Sequence, residues 1–192
     1  MTEEINAVKL SIKYKDVCHM KELYKLMFFW MQDNEWIDPV YKESKNFETS
    51  YIQKDASSGA QEHLFVWELE KIPNESAYFK FKMKVTTTTI ALKNVEVMYE
   101  GKKIKAQKGE ILIKIDANLV LDYKDEWDKS WFLKNFGNFW RKRLYKNNIL
   151  QFKQMLKDDA ETFGEAIKKY LNLKGFLIDT EQVPFYTARS YA

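Results

Sequence analysis

At 192 residues, with 31 Lys and Arg against 28 Asp and Glu and a formal charge of +3, the chain has the length of one domain and little net charge. Its 45% hydrophobic and 16% aromatic content excludes a disordered polymer, and six Gly with three Pro exclude collagen-like or low-complexity sequence. A lone Cys18 cannot form an internal disulfide, and no apolar run reaches the roughly 20 residues of a membrane span.

Val8, Leu10, Ile12 and Tyr14 alternate with Lys9, Ser11, Lys13 and Lys15, which predicts a half-buried strand. Asp16 stands where an N-cap is wanted for a helix over residues 17–34. Met20, Leu23, Tyr24, Met27 and Met31 recur along it at spacings of three and four. Leu26, Phe28, Phe29 and Trp30 widen that face, so the helix is expected to be covered on more than one side. Asn34, Asp38 and Pro39 mark its end, and residues 36–41 carry no clear period.

The middle of the chain reads as an antiparallel meander. Strands are expected over residues 47–53, through Phe65, Trp67 and Leu69, and over 79–85, where Phe79, Phe81, Met83 and Val85 alternate with Lys80, Lys82 and Lys84. Shorter ones follow at 95–99 and 102–107 around a turn at Glu100-Gly101. The last strand carries Ile111, Ile113, Ile115, Ala117, Leu119 and Leu121 on one face. A one-residue slip there would turn the whole apolar set toward water.

After Asp128 the period becomes helical. Ile149, Phe152, Leu156, Ala160, Phe163, Ile167 and Leu171 form a stripe about 33 Å long at the α-helical rise. Upstream, Trp131, Phe132, Phe136, Phe139 and Trp140 are also helically spaced. Gly137 and Asn147-Asn148 weaken that segment, leaving one kinked helix or two helices meeting near Asn147. Gly175 marks the expected helix stop. The expected organisation is one domain over 1–192, with a core over 6–172 and a tail over 173–192 packed along it.

These elements predict an α+β fold: a curved antiparallel sheet covered by a long C-terminal helix, with one helix after the first strand. The order resembles the helix-grip architecture of the START-like (SRPBCC) superfamily over roughly residues 6–172, in element order rather than in any motif. Residues 95–103, Lys108-Gly109-Glu110 and 167–171 are also similar to a group of small uncharacterised archaeal proteins, which brings no activity with it. The START-like resemblance implies a non-enzymatic binding protein, holding an apolar or amphipathic small molecule between the sheet and the C-terminal helix.

Reactive residues are few. The chain has two His, His19 and His63, and one Cys. Cys18 and His19 are neighbours whose side chains diverge on a helix, so a thiolate–imidazole pair would need Cys18 with His63. A structural Cys18 and a thiol activated by the helix N-terminus are the alternatives. One Cys and two His exclude the usual zinc sets. The acids Asp122, Asp125, Glu126 and Asp128 lack the Gly of a calcium loop and read as the acidic opening of a helix. Gly101 and Gly109 read as hairpin glycines, and no phosphate loop or nucleophile elbow occurs. Nothing makes a positive case for an enzyme, and no cofactor is expected.

Two features exceed an ordinary domain. Thirteen Phe, eleven Tyr and six Trp supply more rings than a core needs. Phe65, Trp67, Phe79, Phe81 and Tyr99, with Phe152 and Phe163 of the helical stripe, either fill the core or line a pocket for an apolar ligand. The second feature is a run from Lys129 to Lys157 with eight basic residues and no acid. Lys134, Arg141, Lys142, Arg143, Lys146 and Lys153 stand there among Phe139, Trp140 and Tyr145, and Lys80, Lys82 and Lys84 add a second row. That mixture suits RNA, a ribonucleoprotein or another anionic surface. A solvated helix face, with Lys stems lying along the apolar stripe, is the more ordinary explanation. The acidic, polar start of the chain and the single Cys lead to a cytoplasmic expectation.

Overall fold

The computed structural model describes residues 3–56, 59–99, 102–125 and 146–176. Its elements are β1 (Glu3–Cys18), α1 (Met20–Asp33), β2 (Glu48–Asp55), β3 (Gln61–Lys71), a 3-10 turn at Pro73–Glu75, β4 (Phe79–Tyr99), β5 (Lys102–Leu121) and α2 (Lys146–Phe176). All five strands pair antiparallel in one sheet of order β1-β5-β4-β3-β2. The first strand therefore lies beside the last, while β2 to β5 form a meander. Among the described residues the fold is α+β, with one open sheet and two helices, the second at the C-terminal end of the described chain.

The four strands expected between Phe79 and Leu121 are two long ones, of 21 and 20 residues. Thr86–Thr89 carries β4 straight on, because β-branched side chains suit the pleated surface. The apparent break near residue 90 is a bulge. The register shifts between Ile90 and Lys93, and Ala91 takes the left-handed conformation at φ 53°. Gly109 sits opposite this bulge in mid-strand and is not a hairpin glycine. A Cβ there would stand 3.0 Å from both the Ile90 carbonyl oxygen and the Leu92 Cα.

Asp16 does not cap α1. It remains in β1 opposite Gly109, because the ladder with β5 continues to Cys18, and its carboxylate accepts from the Val17 N–H at 2.8 Å. His19 takes the cap position with extended backbone and no side-chain cap. The segment after α1 is pinned to the end of β3: Ile37 and Glu70 exchange backbone hydrogen bonds of 3.0 and 2.9 Å. Asp38 closes the next turn by accepting from the Val40 and Tyr41 N–H groups, both at 2.7 Å.

One face of the sheet is covered. It presents Ile111, Ile113, Ile115, Ala117 and Leu119 from β5, Phe79, Phe81, Met83 and Val85 from β4, and Phe65, Trp67 and Leu69 from β3, all buried. α2 packs across β1 and β5. Gly164 lies in that interface, where a Cβ would meet Leu10 Cδ1 at 3.4 Å, an ordinary van der Waals contact. α1 sends Leu23, Met27 and Met31 into the core and rests Tyr24 against Phe65 and Trp67. The helices meet where Trp30 and Phe163 place their ring centroids 4.8 Å apart. Phe28 stacks on Phe47 at 5.0 Å, so α1 is covered on more than one side.

α2 runs unbroken from Lys146 through Asn147-Asn148 and takes in Gly175, which lies in its last turn and not beyond it. The helical spacing expected at residues 131–140 and the tail from 177 onward lie outside the described residues. Among the described residues no helix is long and apolar enough to cross a membrane.

Candidate functional site

Alternation along β3 and β4 sends every second side chain to the covered face, and the 3.6-residue period of α2 sends Phe152 and Phe163 back toward it. Phe65, Trp67, Phe79, Phe81 and Phe163 are buried there, and Phe152 is half-buried. They assemble in groups. Phe65 and Trp67 lie 5.8 Å apart and share Tyr24, at 5.6 and 5.1 Å; Phe47 completes that group 6.0 Å from Trp67. Phe152 lies 4.4 Å from Phe79 and 6.4 Å from Phe81. Phe163 sits between the helices against Trp30. Tyr99 is set apart by the register. It pairs with Lys102 at the far end of the β4–β5 hairpin, beyond the last β3 partner of β4 at Leu92.

The layer also contains polar atoms. Thr87 and Thr89 are fully buried on β4. The Thr89 hydroxyl accepts from the His63 N–H at 2.8 Å. Among the described residues, however, Thr87 Oγ1, Trp67 Nε1 and Trp36 Nε1 have no hydrogen-bond partner. An unmet buried donor or acceptor costs about 1–3 kcal/mol, so such groups are uncommon in folded proteins. Thr87 pairs with Phe65 and Trp67 with Val85, which makes Thr87 and Trp67 diagonal neighbours on one face.

The edge of the layer is more polar. Tyr24 donates to Glu48 Oε1 at 3.0 Å. Burial first, and then this bond and the Glu48 charge, hold the Tyr24 phenol well above its usual range. Tyr51 and His63 share a hydrogen bond of 2.9 Å through His63 Nδ1. At the far side, Tyr170 donates to the His19 carbonyl at 3.1 Å, and burial raises its phenol too.

The Cys18–His63 pair that a thiolate–imidazole site would need is not formed. Cys18 ends β1 and His63 lies on β3, with β5 and β4 between them. Cys18 is buried. Among the described residues no group of three or more His, Cys, Asp or Glu could hold a metal ion.

The basic features divide. On α2, Lys146 is exposed and Lys153 half-buried, whereas Lys134, Arg141, Lys142 and Arg143 lie outside the described residues. The β4 lysine row is neutralised. Lys80 pairs with Glu70 at 3.0 Å, Lys82 with Glu4 at 2.5 Å and Lys84 with Glu68 at 2.7 Å. Glu70 is itself buried and held from the other side by Lys42.

Tyr24, Phe47 and Thr87 belong to this layer and were not marked as site residues by sequence. Tyr24 carried a signal, its place on the apolar stripe of α1. Thr87, in a run of four identical residues, carried none.

No family model matches the chain, and no curated protein does. Among solved structures it is similar to an uncharacterised protein from Rhizobium leguminosarum, with 7% identity over 90% of this chain and 99% of that one. The TM-score of 0.23 is too low to support a conclusion on fold or function.

Proposed function

We propose that this chain is a non-enzymatic binding protein of helix-grip type, holding an apolar or amphipathic small molecule between its sheet and its helices. The supporting observation is the convergence of six aromatic side chains, Phe65, Trp67, Phe79, Phe81, Phe152 and Phe163, from β3, β4 and α2 on one covered face. Aromatic and aliphatic walls with few polar atoms are the usual composition of small-molecule sites. The START-like kinship belongs to the same proposal, as does a curved sheet. The first strand beside the last, bulges in β1, β2 and β4, and a C-terminal helix across β1 and β5 are in keeping with both. A cytoplasmic location fits the single buried Cys18.

The alternative is an interaction module that presents Lys134, Arg141, Lys142, Arg143, Lys146 and Lys153 to RNA or another anionic surface. Neutralisation of Lys80, Lys82 and Lys84 by carboxylates removes the second basic row from its support. The ligand reading is therefore preferred.

Thermal unfolding against a panel of fatty alcohols, sterols and aromatic metabolites tests the proposal. A true ligand at a hundred times its Kd stabilises by about 2.7 kcal/mol, a shift of several degrees. Native mass spectrometry of protein taken from its own cells should show the retained mass. No shift with any compound and no retained mass would reject it.

A further inference from the structure

Trp67 Nε1 and Thr87 Oγ1 are the two polar atoms of the covered face that point to the ligand's chemistry. We propose that they form the polar anchor of the site, and that the ligand is an uncharged molecule presenting a carbonyl or hydroxyl oxygen to them. This rests on the ligand-binding function proposed above and narrows it to a substrate class.

The placement comes from the sheet. Phe65 opposite Thr87 and Trp67 opposite Val85 set the two residues on adjacent strands and the same face, at the diagonal separation of roughly 7–8 Å that long side chains can span. Both are fully buried, and among the described residues neither polar atom has a partner. An indole N–H can only donate, and a threonine hydroxyl donates and accepts. Together they suit an acceptor oxygen, and they leave an ammonium group unmet at Trp67.

Charge narrows the class further. The sheet neighbours of the pair on this face are Phe65, Leu69, Val85, Thr89 and Ile113, all uncharged. The nearest ionisable groups along the sheet are Glu48, which pairs with Trp67 from β2 and already accepts from Tyr24, and His63, two residues before Phe65 on β3 and already bonded to Tyr51. A carboxylate or phosphate ligand would enter a low-dielectric layer with no lysine or arginine of the described residues beside the pair and an acid at its edge, which is strongly unfavourable. A ketone, ester or alcohol on an apolar skeleton meets both atoms without that cost. The surrounding rings of Tyr24, Phe47 and Phe65 would hold the skeleton. A water molecule offers the same oxygen chemistry, so the experiment must separate the two sources.

The test uses three compounds with one skeleton: naphthalene, 2-acetylnaphthalene and 2-naphthoate. Binding to the whole chain is followed by calorimetry and thermal shift, for wild type, Trp67→Phe, Thr87→Val and Thr87→Ser. The expected result is that wild type prefers the ketone over the hydrocarbon by about tenfold and over the carboxylate by more. Trp67→Phe and Thr87→Val should each remove most of that preference, read as the ratio of ketone to naphthalene affinity within the same variant. Thr87→Ser, which keeps the hydroxyl, should retain it. Equal affinity for ketone and hydrocarbon in wild type and variants would overturn the anchor while sparing the apolar site. If no probe binds and a crystal structure shows a single water on the two atoms, the water is the partner, and the anchor and the ligand function both fall.

Discussion

Phe79 of β4 and Phe152 of α2 lie with ring centroids 4.4 Å apart and planes inclined by 31°, a direct tie between the sheet and the first turns of the C-terminal helix. Phe81 adds a second contact to the same ring at 6.4 Å. Offset aromatic pairs contribute about 0.5–1.5 kcal/mol beyond the area they bury. Phe152→Ala should therefore destabilise the fold by about 3 kcal/mol, and Phe152→Leu by clearly less. Urea unfolding followed by far-ultraviolet circular dichroism measures both. Equal, negligible losses would show that this end of α2 is not anchored on β4.

The bulge in β4 sets up an opposed pair of outcomes. Gly109→Ala would push a methyl group to 3.0 Å from two backbone atoms, the Ile90 oxygen and the Leu92 Cα, which cannot yield as a flexible side chain does. A loss of about 1–3 kcal/mol is expected. Ala91→Gly, at φ 53°, relieves a left-handed alanine and should be neutral or slightly stabilising. Comparing the two midpoints in guanidinium decides the matter, and similar losses from both changes would contradict the bulge geometry.

How much of this was legible beforehand depended on whether the signal was local. The alternation from Ile111 to Leu121 and the stripe from Leu156 to Leu171 are periodic in hydropathy, and both face the core as read. Thr86–Thr89 has no such period, since four identical residues look alike from either face. Yet Thr87 and Thr89 are buried while Thr86 and Thr88 are half-exposed. The local pattern therefore divides one strand into two and gives Thr87 no signal of its own. The lysine row looked basic because Glu70, Glu4 and Glu68 arrive only when β3 and β1 fall into register around it. Likewise, Trp67 was marked as a ring, but its unmet N–H depends on what stands across from it. Four of the seven aromatic candidates follow from strand alternation and two, Phe152 and Phe163, from the helical stripe, whereas Tyr99 falls outside because the hairpin is longer than its interrupted pattern suggests.

Glu70 gives a test of buried charge. Its carboxylate accepts from Lys80, whose side chain is only 16% exposed, and from Lys42, which is 56% exposed. Glu70→Ala strands the Lys80 ammonium under cover and should cost about 3 kcal/mol. Lys42→Ala removes a solvated partner and should cost less than about 1 kcal/mol. Chemical denaturation of the two variants, run at low and high salt, provides the comparison. If Lys42→Ala proves the more damaging, the shielding of Lys80 is wrong.

Alkaline pH should unfold the protein through its tyrosines. Burial raises the phenols of Tyr14, Tyr24, Tyr51 and Tyr170 above the ordinary value of 10.0, with the Glu48 bond adding to the shift at Tyr24. A raised folded pKa means that the native state holds its proton more tightly than the unfolded chain. The associated stability is complete below the unfolded value and declines as pH climbs from there toward the folded one. Melting temperature should thus fall from about pH 10 upward, and less steeply in Tyr24→Phe and Tyr170→Phe. Absorbance at the tyrosinate band should show these two phenols ionising only together with unfolding. Early ionisation in the folded protein would remove the basis of this forecast.

Charge reversal separates ligand binding from an anionic interface. Arg141, Lys142, Arg143 and Lys146 replaced by Glu change the local charge while keeping good helix formers. If these residues contact phosphates, binding to single-stranded RNA or anionic vesicles should collapse, and the wild type should lose affinity steeply with salt as counterions are released. Lys80, Lys82 and Lys84 replaced by Gln serve as the control. Their charges are already matched by Glu70, Glu4 and Glu68, so this variant should bind anions as the wild type does and lose some stability because buried Glu70 keeps Lys42 as its one charged partner of the two. Under the ligand-binding proposal the wild type binds neither RNA nor vesicles above about 100 mM salt, where screening reaches roughly 10 Å. The reversed variant should then still bind the neutral naphthyl ketone. A salt-resistant RNA complex abolished by the reversal, with no small molecule shifting the melting temperature, would transfer the function from the covered face to the basic segment.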